Sequence, residues 1–241
     1  MRPLVLCYHA VSDGWEHQLS IGPAAFDRQL RSLSRRGFHG VTADETLNGT
    51  RGVHVTFDDA FRSVSNALPI LERLRVPATV FACSAYTDEG GPLAVPELAA
   101  EASAHPEELA TMGWDQLRGL VERGVEVGSH TVSHPHLPRL SDAEIEEELA
   151  DSRARLEDGL GRPCRFLAYP FGEHDERVRA AARRVGYAAA FALAATATGS
   201  RDPYALPRVD LYRKDTTFST ALKTSFLRRP AAALRQVLQR G

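Results

Sequence analysis

The sequence contains no stretch of about 18 consecutive strongly apolar residues, so a transmembrane helix is not expected. Even the Ala-rich segment 188–198 carries only two large apolar side chains, Phe191 and Leu193. The apolar run within the N-terminal MRPLVLCYHAV is too short for a secretory h-region and passes into polar residues without a cleavage site. That predicts a cytoplasmic chain, or an extracellular one if a leader has been removed. Cysteine is scarce. Cys7, Cys83 and Cys164 cannot build a disulfide framework, and they lack the C-x-x-C spacing of a structural zinc site. Cys7 and Cys83 lie in apolar runs and read as buried thiols. Net charge is also nearly absent, at -2, which predicts no nucleic-acid partner and no general affinity for anionic membranes. The Arg-rich end (Arg228, Arg229, Arg235, Arg240) reads as a solvated helix surface. Neither a Walker A motif nor a G-x-G-x-x-G cradle occurs, which argues against nucleotide chemistry.

What is present alternates. Apolar strand candidates at 3–8, 53–57, 78–83, 125–128, 166–169, 187–191 and 206–211 are separated by segments with helical periodicity, such as Phe26, Leu30 and Leu33. Ser141 and Glu144 have the spacing of a capping box. Pro69 lies inside the helical pattern Phe61–Leu71 and predicts a bend there. Repeated strand–helix units favour parallel strands with helices packed outside. The fold expected is α/β, an incomplete or distorted β/α barrel of about seven strands, formed by one domain over 1–241. Residues 86–111 read as a variable surface excursion with a short helix, and 229–241 as a C-terminal helical tail.

Two strand exits carry chemistry. In Val53–Ala60 an apolar strand ends in adjacent carboxylates, Asp58 and Asp59. Their mutual repulsion is relieved by a cation or a shared proton; the alternative is a pair of exposed turn residues. In Glu126–Leu137, His130 and His134 are four apart, which puts two imidazoles on one side of a turn. In a parallel β/α assembly these exits share one face. Two His and one Asp leave positions open for water and substrate on a zinc ion, as amide hydrolysis requires. A separate acid must then protonate the leaving nitrogen.

Three segments together resemble the NodB-homology, or polysaccharide deacetylase, family (carbohydrate esterase family 4). Thr56–Ala60 is similar to T-F-D-D-G, His130–His134 to H-[ST]-x-x-H, and Phe166–Gly172 to F-x-Y-P-[YF]-G. The resemblance spans most of 3–212 and implies a distorted (β/α)7 barrel. It implies that Asp58 is the base activating water and that Asp59, His130 and His134 hold a divalent metal ion, Zn2+ being the first expectation. It also implies that backbone around Tyr169 donates to the developing oxyanion.

Two departures matter. Ala60 replaces the family's Gly, which is costly if the position needs positive φ and harmless if it starts a helix. No histidine follows Leu206, so the late L-x-H acid is missing. Tyr8-His9 at the first strand exit resembles a circularly permuted branch whose early His takes that role, and His9 becomes the acid candidate. Leu206–Asp210 resembles that branch's L-P-R-[IV] segment, with Arg208 placed to hold Asp58 ionised. Asp175 and Asp210 are weaker candidates. Trp15, Tyr86, Trp114 and Phe171 line a carbohydrate groove or pack. The implied function is metal-dependent removal of an N-acyl group, acetyl first, from an amino-sugar glycan or glycoconjugate. The alternatives are a noncatalytic carbohydrate-binding domain, or a deacylase for a small non-sugar amide or an O-acetyl ester.

Overall fold

The computed structural model describes residues 3–88, 90–194, 196 and 202–225. The expected tail 229–241 and its arginines lie outside them. Strands run in the order β1 (Leu4–Tyr8), β2 (Ala10–Val11), β3 (Ser20–Ile21), β4 (Val53–Phe57), β5 (Ala78–Ala82), β6 (Glu126–Ser129), β7 (Phe166–Ala168), β8 (Ala189–Leu193) and β9 (Leu206–Asp210). The helices are α1 (Pro23–Arg35), α2 (Ala43–Leu47), α3 (Leu68–Leu74), α4 (Ala99–Ala104), α5 (Trp114–Glu122), α6 (Asp142–Leu160), α7 (Glu176–Val185) and α8 (Thr217–Lys223). Seven parallel strands close a barrel in the order β1-β4-β5-β6-β7-β8-β9, and β2 and β3 form a separate parallel pair. Closure sets Leu6 against Val209 and Cys7 against Asp210, so the first and last barrel strands are neighbours. Among the described residues no helix is long and apolar enough to cross a membrane.

Period-two alternation sorts the strand residues into two cores. Leu6, Tyr8, Val55, Phe57, Val80 and Leu167 face outward against helix residues such as Phe26, Leu30, Ile145, Leu149 and Val178. Val5, Phe81, Phe166 and Phe191 fill the barrel. Phe81 and Phe191 lie 5.6 Å apart between ring centroids. His54 sits lower in the interior as a satisfied neutral imidazole, with Nδ1 2.8 Å from Val41 O and Nε2 2.9 Å from Thr79 Oγ1.

Helix ends follow local chemistry. The Ser141–Glu144 capping box opens α6, with the Ser141 N–H donating to Glu144 at 2.8 Å, and Gly161 ends it in the left-handed region at φ 64. A second box, Thr42–Glu45, opens α2. Pro69 does not bend one long helix. The segment is a 3-10 turn, Arg62–Ala67, followed by α3, and Pro69 sits in the first turn of α3, where its missing N–H costs nothing.

The segment 86–111 carries a short helix, α4, as expected, and part of the segment is buried. Leu93, Val95, Leu98 and Leu109 are buried with Ala10, Trp15, Phe61 and Cys83 in a separate apolar cluster above the barrel. The contributing side chains come from three strand exits and follow no single period, so helical or strand patterning does not reveal them.

Gly128 leaves room for the Phe81 ring, since a Cβ there would stand 2.6 Å from Phe81 Cε1 and 2.8 Å from Phe166 O. Gly128→Ala is expected to lower unfolding free energy by about 1–3 kcal/mol in urea titration. A change within about 0.3 kcal/mol would contradict this packing.

Candidate active site

Alternation along β4 puts His54, Thr56 and Asp58 on the barrel's inner face. Asp58 is therefore aimed at the axis, its N–H donating to Tyr8 O at 2.9 Å. Asp59 by the same rule would face away. It does not, because Asp59 and Ala60 take left-handed backbone, φ 66 and 49, and the turn swings the second carboxylate back over the barrel. Ala60 thus occupies the conformation that glycine tolerates best. Thr131, His134 and Phe171 are also left-handed, at φ 70, 64 and 57. Of the six non-glycine residues in this region among those described, only Arg75 lies elsewhere, at the end of α3. Backbone strain is concentrated at the site.

Arg208 on β9 crosses the interior and is fully buried. Its guanidinium donates twice to Asp58, Nη1 to Oδ1 at 2.5 Å and Nη2 to Oδ2 at 2.8 Å. Nη1 also donates to Thr56 Oγ1 at 3.1 Å. Burial pushes the Asp58 carboxyl upward, but the guanidinium and the nearby His130 outweigh it and hold it well below the usual range. The same pairing raises Arg208, against its own burial. The Cys7 thiol donates to Asp58 Oδ2 at 3.4 Å. Cys7 is the buried free thiol expected, and it also belongs to this site. The available signal was period two, which puts Cys7 on the face shared with His9.

Asp59 is different. Its Oδ1 is buried with no hydrogen-bond partner and faces His134 Nε2 at 3.5 Å and His130 Nε2 at 3.6 Å. Burial raises the Asp59 carboxyl and lowers both imidazoles to about 4. The imidazoles are thus neutral, the form that ligates a metal. His130 Nδ1–H donates to Ala168 O at 2.8 Å, which turns the Nε2 lone pair toward Asp59. Ligand atoms on a tetrahedral ion at about 2.1 Å stand about 3.4 Å apart, close to the spacings seen. One carboxylate and two imidazoles, with an orphaned oxygen at their centre, form a site for a divalent cation.

A second group, Cys7, His9 and Asp58, also lies within 4.8 Å. Arg208 already neutralises Asp58 there, so a further cation is opposed. His9 is half-buried beside Asp58, and its Nδ1 has no partner. Asp210, opposite Cys7 on β9, likewise has an unpaired buried oxygen. Asp175 is not at the site; it caps α7 by accepting the Val178 N–H at 2.9 Å. Tyr169's own groups are occupied elsewhere, the N–H by Phe191 O at 3.1 Å and the O–H by Tyr204 O at 3.0 Å. Pro170 has no N–H, so the next backbone donor is Phe171. The Phe171 ring packs edge-on to His134 and stacks on His136 at 4.0 Å. Trp15 is buried against Phe61, and Trp114 donates to Asp88 at 2.8 Å, so both are packing residues.

Residues 47–190, well over half the chain, match the family model described as polysaccharide deacetylase. The chain belongs to the polysaccharide deacetylase family. It is 29% identical over 146 residues to a chitooligosaccharide deacetylase of Bradyrhizobium sp. (strain ANU 289), covering 59% of this chain and 56% of that protein. The chain spans about three fifths of the length of the curated relatives it matches. Its structure is similar to IcaB from Ammonifex degensii, with TM-score 0.75 and 25% identity over 93% of this chain and 97% of that one. The Streptococcus pyogenes deacetylase PplD, solved with acetate, shares the fold at TM-score 0.75 and 21% identity, covering 93% and 99%.

Two predictions follow from the burial of these charges. Arg208→Met leaves the Asp58 charge unpaired inside the barrel and is expected to cost about 3–5 kcal/mol in urea unfolding. A loss below about 1 kcal/mol would show that the pair is not desolvated. The second concerns metal-free protein. His54, His130 and His134 stay neutral when folded, with values near 4, against 6.5 ordinarily. Their contribution is complete above pH 6.5 and is lost as pH falls toward 4. Asp59, Asp210 and Glu126, raised by burial, oppose this, while His17 and His174, lowered by burial, add to it, so imidazoles outnumber the opposing carboxyls. Urea midpoints should therefore fall steadily between pH 6.5 and 4, and a flat or rising series would contradict the assignment.

Proposed function

We propose that the protein is a metal-dependent hydrolase that removes an N-acyl group, acetyl first, from an amino-sugar glycan or glycoconjugate. The observation that carries this reading is the division of the carboxylate pair. Asp58 is neutralised and oriented by Arg208, while Asp59 Oδ1 is left unpartnered before two imidazole nitrogens. The relatives' stated substrate, chitooligosaccharide in the Bradyrhizobium protein, supports the choice of an N-acetylated sugar.

Asp59, His130 and His134 would hold the ion, and their mixed oxygen and nitrogen donors suit Zn2+ better than Mg2+ or Ca2+, which prefer all-oxygen sites. When bound, a divalent cation supplies Lewis acidity that polarises the acyl carbonyl and acidifies water. Asp58 accepts the proton of the attacking water. Arg208 keeps Asp58 ionised and fixes its plane, so the acceptor oxygen stays aimed as charge moves. Cys7 adds a weak third donor to the same carboxylate.

His9 protonates the departing amine. Its unpartnered Nδ1 and position beside Asp58 suit that role. The oxyanion donor assigned to the backbone around Tyr169 narrows to the Phe171 N–H, since the Tyr169 N–H is committed to the sheet.

The test is acetate release by metal-repleted protein from N-acetylated and O-acetylated sugars and small amides, with Asp58→Asn and His9→Ala beside the parent. Each variant is expected to lose about 10²–10⁴-fold in kcat, with metal stoichiometry unchanged. Full activity in His9→Ala would remove His9 from the mechanism. Absence of turnover on every substrate at full metal occupancy would favour a sugar-binding domain.

A further inference from the structure

The turn that carries the second histidine, Thr131–His134, has every backbone N–H accepted by a side-chain oxygen. Thr131 N–H donates to Ser129 Oγ at 3.1 Å and His134 N–H to Thr131 Oγ1 at 3.0 Å, both within the β6 exit itself. The middle two, Val132 and Ser133, donate to Glu148 Oε2 at 2.8 and 3.0 Å. Ser133 Oγ adds a third bond, to Glu148 Oε1 at 2.6 Å. Glu148 stands on α6, outside the turn. The carbonyls are held from the β5 exit, where Ser84 N–H donates to Thr131 O at 3.1 Å and Ala85 N–H to Val132 O at 3.0 Å.

The two imidazoles of the metal site differ in what orients them. His130 is turned by the bond from its Nδ1 to Ala168 O. An outer partner of that kind fixes the ring and is the usual device for a metal-binding imidazole. His134 lacks one, since its Nδ1 is buried with no hydrogen-bond partner. Its ring is placed by the Phe171 ring beside it and by its own backbone, at φ 64. A non-glycine residue keeps that conformation only where its surroundings impose it. Glu148 imposes it from the N–H side of the turn. The helix fixes Glu148 in its turn: Leu149 beside it is buried, and one turn further on Ser152 Oγ lies 2.8 Å from Ser129 Oγ at the root of the loop.

Resting on the metal assignment above and not on the choice of substrate, we infer that Glu148 is a positioning residue for the metal centre. By fixing the peptide units of Val132 and Ser133, it takes the place of the outer hydrogen bond that His134 lacks. Glu148 is not one of the metal-binding groups, and its effect reaches the ion through His134 Nε2. The role is geometric: it depends on the reach of the acceptor oxygens and not on the negative charge. Glutamine has the same reach, because its carbonyl accepts both N–H groups while its amide donates to Ser133 Oγ. Aspartate keeps the charge but is one methylene too short.

The experiment measures Zn2+ affinity of the full chain by competition with a chromophoric chelator, for the parent, Glu148→Gln and Glu148→Asp. Glu148→Gln is expected to bind within about threefold of the parent, and Glu148→Asp about 10–100-fold more weakly. The reverse order of the two variants, or a difference between them below about threefold, would overturn the inference. The metal-free protein gives a second readout in amide hydrogen exchange at Val132 and Ser133. Exchange should match the parent in Glu148→Gln and run at least about tenfold faster in Glu148→Asp. Equal rates in the two variants would overturn the hold on the turn. Lowered urea stability with both readouts at parent values would also overturn it, leaving Glu148 a general structural role. If the parent takes up no Zn2+, the metal assignment itself fails, and the exchange rates alone decide whether Glu148 fixes the turn.

Discussion

The buried pair between Arg208 and Asp58 is the constraint on which the site depends. Two carboxylates at one strand exit, both nearly inaccessible to water, repel each other and lose solvation together. The guanidinium resolves that conflict by cancelling one charge within the protein. What remains is a single uncompensated carboxylate among neutral imidazoles, which is an environment that a cation relieves. The pair also fixes closure of the barrel functionally, because its partners come from β9 and β4 on either side of β1. An exposed ion pair of the same geometry would do neither, since water would solvate the second carboxylate and screen the first.

Backbone strain and side-chain placement are linked. Alternation alone sends Asp58 and Asp59 to opposite faces, and helical spacing alone does not bring His130 and His134 to one point. Left-handed residues at 59, 60, 131 and 134 make both turns. The cost falls on alanine, threonine, aspartate and histidine, none of which gains the relief glycine has. Backbone N–H groups of Ser84, Ala85 and Met112 donate to Thr131 O, Val132 O and Ala60 O, so the strained geometry is fixed by neighbouring segments.

Much of this was legible in the sequence. Seven apolar runs gave the barrel strands, and the carboxylate and histidine signals identified the site because both follow such runs. Pairing of β1 with β4 sets His9 near Asp58, and closure of β1 on β9 brings Arg208 and Asp210 to the same exit. Three things were hidden. Cys7 looked like core because its neighbours are apolar, although it shares a face with His9. The apolar cluster above the barrel was hidden because Leu93, Val95, Leu98 and Leu109 pack with Trp15 and Phe61 from distant segments, which leaves no periodic trace. The commitment of the Tyr169 N–H to Phe191 depends on sheet pairing, and sequence alone does not specify which backbone donor remains free.

The division of labour between the two aspartates is the centre of this account. The most direct measurement is anomalous diffraction at the zinc edge from crystals of the protein loaded with one equivalent of Zn2+. A single peak bounded by Asp59, His130 and His134, with Arg208 still paired to Asp58, is the predicted result. A peak among Cys7, His9 and Asp58, or an ion that displaces Arg208 to bind both aspartates, would contradict it.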